Sequence, residues 1–119
     1  MATKDEVQSF LSDFLQKMKI WEIRFRDDRG KNTQALYNLE ISPAQRIVII
    51  EGLEVIDYSE GPKEDILNAG APLWVFGKEV KSQMIYIKVS VGSPGRPVIC
   101  ISFHEAQYAM NLPFKEKQV

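Results

Sequence analysis

MIYIKVSVGSPGRPVICISFH, residues 84–104, decides the fold. Ile85, Ile87 and Val89 alternate with Met84, Tyr86 and Lys88, the period-two pattern of a strand with one face in a core. Val98 to His104 (VICISFH) is a second β-rich run, and Ser93-Pro94-Gly95-Arg96-Pro97 between them supplies turn residues, so the two runs predict an antiparallel hairpin. Upstream, LWVFGKEV (73–80) reads as another strand, joined to the first through Lys81 to Gln83. Leu53 to Ser59 (LEVIDYS) reads as a fourth, separated by the turn-rich loop GPKEDILNAGAP.

The N-terminal part has a different period. Val7, Phe10, Leu11, Phe14, Leu15 and Met18 recur at helical spacing behind Thr3 and Glu6, which form a capping box, so a helix is expected over 4–18. WEIRFR (21–26) alternates Trp21, Ile23 and Phe25 with Glu22, Arg24 and Arg26, as a strand would, and DDRGK makes a turn at Gly30. A short helix is expected over 32–39. A second is expected over 43–51, with Ser42 as N-cap, Pro43 at N1, Gln45 at N3 and Gly52 at the C-terminus. Pro113 ends regular structure in the tail. Helices early and an antiparallel meander late is an α+β layout in one domain, with helices packed on a C-terminal antiparallel sheet.

Composition narrows the functions. Hydrophobic residues make up 45% and charged residues 26% of the 119, which argues against disorder and a coiled coil. No apolar run reaches the ~18 residues of a membrane-crossing helix. MATKDEVQSF has no apolar leader core, and the single cysteine, Cys100, excludes an internal disulfide, so a reducing cytoplasm and no membrane partner are expected. One cysteine with one histidine cannot make a usual zinc site, and no metal or cofactor is expected. P-loop, dinucleotide-binding, HExxH and GxSxG motifs are all missing.

What remains is a set of polar side chains on strands. His104 ends the last strand, and histidine is the side chain whose charge changes near neutral pH, suiting it to acid–base work. Strict alternation puts Ile99, Ile101 and Phe103 on one face and Val98, Cys100, Ser102 and His104 on the other. Tyr86 and Lys88 share the face of their strand that the core does not claim. His, Tyr and Lys on one sheet face suit a phosphodiester: the lysine offsets phosphate charge, and the other two handle protons. The alternative is a solvated polar face.

Arg24, Arg26, Arg29 and Lys31 give residues 24–31 a net charge of +2 and could grip an RNA backbone, the alternative being local salt bridges with Asp27 and Asp28. Trp74 could stack on a base or fill the core. Lys63 lies on the expected loop, among acids that make residues 51–65 net −5.

Thr33 to His104 resembles the motility quorum-sensing regulator toxins, a RelE-like branch of bacterial type II toxin–antitoxin ribonucleases. The resemblance rests on NTQALYNL with a second helix after it, then LEVIDYS, the Trp-led LWVF, MIYIK and ISFH, in that order. It implies a RelE-like fold, metal-independent cleavage of messenger RNA, and neutralisation by a cognate antitoxin that carries a DNA-binding domain. It also implies that Tyr86 is an active-site tyrosine and that His104 stands where the archetype has a catalytic lysine. The family's lysine after its Asp-aromatic pair is missing here, since Asp57-Tyr58 is followed by Ser59 and Glu60, and Lys63 is its expected replacement. Val75 stands where the family has glutamine. The expected catalytic set is therefore His104, Tyr86, Lys63 and Lys88, with Arg24, Arg26, Arg29, Lys31 and Trp74 contacting RNA. The alternative function is a non-catalytic binding or regulatory module on the same fold.

Overall fold

The structure, a computed structural model, describes residues 1–65 and 70–115, without the Arg29 side chain. The chain is α+β. Helix α1 (Lys4–Trp21) is followed by β1 (Ile23–Phe25), α2 (Lys31–Leu39), α3 (Pro43–Glu51), β2 (Tyr58–Lys63), β3 (Leu73–Val80), β4 (Gln83–Ser90) and β5 (Val98–Glu105). Both expected capping boxes form: Thr3 Oγ1 accepts from Glu6 N, and Ser42 Oγ accepts from Gln45 N. Each meets amide groups that a helix start leaves without an intrahelical acceptor.

The strands form one sheet in the order β1-β5-β4-β3-β2. The expected meander β2 to β5 is antiparallel throughout, but β1 runs parallel to β5, so the sheet is mixed. A parallel pair needs a connection longer than a hairpin, and here α2, α3 and three strands lie between β1 and β5. Residues 55–57, expected as strand, make a 3-10 turn. There Asp57 is buried, and its Oδ2 accepts from Glu54 N (2.9 Å) and Lys78 Nζ (3.2 Å). Strand β2 begins only at Tyr58 and takes in Gly61 to Lys63, expected as loop; residues 66–69 of that expected loop lie outside the described residues.

One face of the sheet carries the core. Val7, Phe10, Leu11, Phe14 and Met18 of α1 meet Trp74, Phe76, Ile85, Ile87, Val89, Val98, Cys100 and Phe103. Tyr58 is wholly buried in this layer, its hydroxyl donating to Gly61 O (2.6 Å) and accepting from Ala2 N (3.1 Å).

Strict alternation fails in β5. Lys88 pairs with Ser102 and Val89 with Cys100, so Ile101 is an extra residue between consecutive pairs, a β-bulge. The bulge resets the side-chain phase. Val98 and Cys100 therefore point into the core with Phe103, and only Ser102 and His104 stay on the opposite face. This corrects the expected grouping, and burial in the core pushes the Cys100 thiol up to about 12.

Strand β1 stops at Phe25, which would leave the upper half of β5 with an open edge. Asn32, at the start of α2, closes it. Its Nδ2 donates to Arg26 O (2.9 Å) and Ile101 O (3.0 Å), and its Oδ1 accepts from Phe103 N (2.9 Å). A buried amide thus replaces a strand at the point where β5 approaches His104.

No helix among the described residues is long and apolar enough to cross a membrane.

Candidate active site

The face opposite the core carries two cross-strand rows. One runs Gly77, Tyr86, His104 over β3, β4 and β5; the other runs Glu60, Val75, Lys88, Ser102 from β2 to β5. Residues opposite each other in a ladder share a face, so these rows follow from register. The Tyr86 and His104 rings stack at 5.5 Å between centroids and 15° between planes. Lys88 Nζ lies 5.8 Å from the centre of the Tyr86 ring.

His104 Nδ1 is 3.0 Å from Glu105 O. A carbonyl only accepts, so this bond assigns the ring proton to Nδ1, and in the neutral ring Nε2 holds the lone pair. Burial holds the Tyr86 phenol above its ordinary value, opposed by the Lys63 ammonium and assisted by the Glu60 carboxylate. Tyr86 is therefore a hydroxyl donor at neutral pH. Lys63 Nζ donates to Glu60 Oε2 (3.0 Å), and that bond raises the Lys63 pKa.

Tyr86, His104, Lys88 and Glu60 border a cavity of about 570 Å³, a size that accepts a small ligand. Lys31, Glu60, Lys88 and His104 bring charge or titratable groups to its lining, and Ser59, Tyr86 and Ser102 bring hydroxyls. Its remaining wall is the chain after β5, residues 106–111. That segment packs where Gly77 has no side chain: a Cβ there would stand 2.9 Å from Met110 Sδ and 3.1 Å from Leu112 Cδ2.

The structure thus gathers His104, Tyr86, Lys88 and Lys31 around one cavity, with Lys63 adjacent through Glu60. The other expected RNA contacts lie elsewhere. Arg24 is exposed beside Ile99, low on β5, and Arg26 pairs with Asp28 (3.3 Å). The Arg29 side chain lies outside the described residues. Trp74, expected to stack bases, is 9% exposed on the helix-covered face with its ring 4.6 Å from that of Phe10, so it serves the core. Lys31 is carried to the cavity by the N-terminus of α2, apart from the arginines it follows in sequence.

Sequence reasoning missed the wall 106–111. Its signal was adjacency: residues directly after a strand-end histidine must start near that histidine. It also missed Arg46, buried behind β1, whose Nη1 and Nη2 hold Asp27 at 3.0 and 3.1 Å and whose guanidinium lies 3.5 Å from the Phe25 ring centre. That ion pair holds the turn between β1 and α2, and so the approach of Asn32 and Lys31. No family model matches this chain, and no match was found among curated proteins or solved structures.

Proposed function

We propose that the protein is a metal-independent endoribonuclease, a RelE-like toxin of the motility quorum-sensing regulator type, that cleaves messenger RNA in the cytoplasm and is held by a cognate antitoxin. The observation that supports the reading most is the in-register pairing of Tyr86 with His104 on the sheet face opposite the core, beside Lys88 and Lys31.

The reaction is an internal transesterification. His104 Nε2 takes the proton of the ribose 2′-hydroxyl as that oxygen attacks the adjacent phosphorus. The bond from phosphorus to the 5′-oxygen breaks, and that oxygen takes a proton from water while the His104 imidazolium gives its own proton back to solvent, so protons balance over the turnover. The products are a 2′,3′-cyclic phosphate and a free 5′-hydroxyl. Lys88 and Lys31 offset the charge that develops on the phosphorane, and the un-ionised Tyr86 hydroxyl hydrogen-bonds its oxygens. Lys63 acts at longer range, since Glu60 takes its hydrogen bond.

That Glu60 carboxylate beside Tyr86 favours the second reading, a non-catalytic binding module, because an acid at a phosphate site repels substrate. Incubating the purified protein with messenger RNA in excess EDTA separates the two. Fragments ending in 2′,3′-cyclic phosphate support the ribonuclease. Intact RNA in EDTA, or cleavage only after Mg²⁺ is added, defeats it.

A further inference from the structure

After β5 the chain turns back across the face that carries the site. Ala106 N still donates to Met84 O (2.9 Å), which fixes the start of the segment to β4. Met110 sits over Gly77, and Asn111 O accepts from Ser59 Oγ (2.7 Å), which fixes it again at β2. A further turn places the Phe114 ring 5.5 Å from that of Tyr58. The segment is therefore a strap over the sheet, attached on both sides of the cavity.

Between its attachments the strap holds out Gln107, Tyr108 and Ala109, all exposed. Tyr108 is 84% exposed, yet it lines the same cavity as His104, Tyr86, Lys31 and Lys88. A large aromatic ring that is 84% exposed on a short, doubly attached loop adds little to the core. Its position at the rim of the cavity that holds Lys31, Lys88 and Glu60 points to a ligand instead. A ring on such a loop gives up little conformational freedom when a flat partner settles on it. The flat partners that accompany a phosphodiester are nucleobases, and each base presents a π-face to an aromatic side chain.

We infer that Tyr108 is a stacking platform for a nucleobase next to the phosphate held at Tyr86 and His104, and hence a specificity-determining residue for single-stranded RNA. The inference rests on the ribonuclease reading for the identity of the ligand. A duplex is a poor ligand for this platform, since its bases are already stacked on one another.

The test uses a labelled single-stranded 2′-O-methyl oligoribonucleotide, which lacks the attacking hydroxyl and stays intact, with binding followed by fluorescence anisotropy. Tyr108→Ala should weaken binding by about 5- to 150-fold, the equivalent of one stacked base, while Tyr108→Phe stays within about two-fold of wild type. Removing the base at one position of the oligonucleotide should cost the wild type a comparable factor and cost Tyr108→Ala nothing further. Thermal unfolding should not shift, because the ring is exposed. Unchanged affinity in Tyr108→Ala, or a wild type that does not bind the oligonucleotide, overturns the inference. Tight, Tyr108-dependent binding by a protein that leaves ordinary RNA intact upholds the platform and defeats the ribonuclease reading instead.

Discussion

Replacing Asn32 by alanine should destabilise the protein well beyond the loss of one surface amide. The side chain is 2% exposed and makes three hydrogen bonds, to Arg26 O, Ile101 O and Phe103 N, at 2.9 to 3.0 Å. Alanine removes them all and leaves two carbonyl oxygens and one amide N–H without that partner. A buried backbone group left without its partner costs about 1–3 kcal/mol. Two of the three backbone partners lie in fully buried bonds, whereas the bond to Arg26 O is partly exposed and counts for less. The expected loss is therefore about 2–4 kcal/mol, or a melting temperature lower by roughly 8–16 °C at about 4 °C per kcal/mol for a chain of this size. Asn32→Asp should be at least as harmful, because a carboxylate cannot donate to the two carbonyls. Urea unfolding of wild type and both variants measures the loss directly. The RNA-cleavage rate of the folded fraction should also fall, because Phe103 N is the amide next to His104. A stability change in Asn32→Ala below about 0.5 kcal/mol, the usual range of surface substitutions, would refute the edge-closing role.

The remaining predictions concern packing and ionisation. Arg46→Lys keeps the charge but loses the two-pronged bond to Asp27 and the flat contact on Phe25, so it should cost about 1–3 kcal/mol in urea unfolding; an unchanged midpoint would contradict this. Gly77→Ala puts a methyl group against Met110, which should cost about 1 kcal/mol and make the tail more sensitive to limited proteolysis; an unaltered digestion pattern would show that the strap does not depend on that gap. Because burial raises the Tyr86 pKa, its donating form persists above the ordinary phenol value of about 10, so the alkaline loss of cleavage should lie above that pH. A rate that already falls with an apparent pKa below 10 would mean that Tyr86 is not the group lost.

The helices, and the strands of the hairpin and its neighbour, were legible because their signals are local. Thr3 with Glu6 and Ser42 with Gln45 mark helix starts through contacts within one turn, and Ile85, Ile87 and Val89 mark a buried face by spacing alone. The pairing of Tyr86 with His104 was legible to the extent that a hairpin was. Its exact register was not, because the Ile101 bulge leaves no mark in a run of apolar residues. That bulge moved Cys100 into the core and separated it from His104.

The parallel place of β1 was also hidden, since it depends on a partner some 75 residues away, such as Val98 opposite Ile23. Asn32 did leave a trace: it falls on the buried stripe of α2 with Ala35 and Leu39, where a polar residue needs a reason. Arg46 does the same in α3, one turn before Ile50. Trp74 shows the opposite case. Its residue type fits base stacking, but its partner Val89 places it on the core face. The strap had no period to read, because its hold on the sheet comes from single contacts at Gly77, Ser59 and Tyr58.

The proposed ribonuclease depends on His104 and Tyr86 acting as a pair on RNA. Its most direct test is the single-turnover cleavage rate of His104→Ala and Tyr86→Phe in EDTA, alongside their thermal unfolding. His104 is half-buried at a strand end and Tyr86→Phe removes one hydroxyl, so both variants should fold. His104→Ala should cleave about 100-fold more slowly or worse, as expected when a proton-transfer group is removed. Tyr86→Phe should also slow, and the double variant should be little worse than His104→Ala alone, since paired groups act as a unit. A folded His104→Ala that cleaves at the wild-type rate would contradict the account.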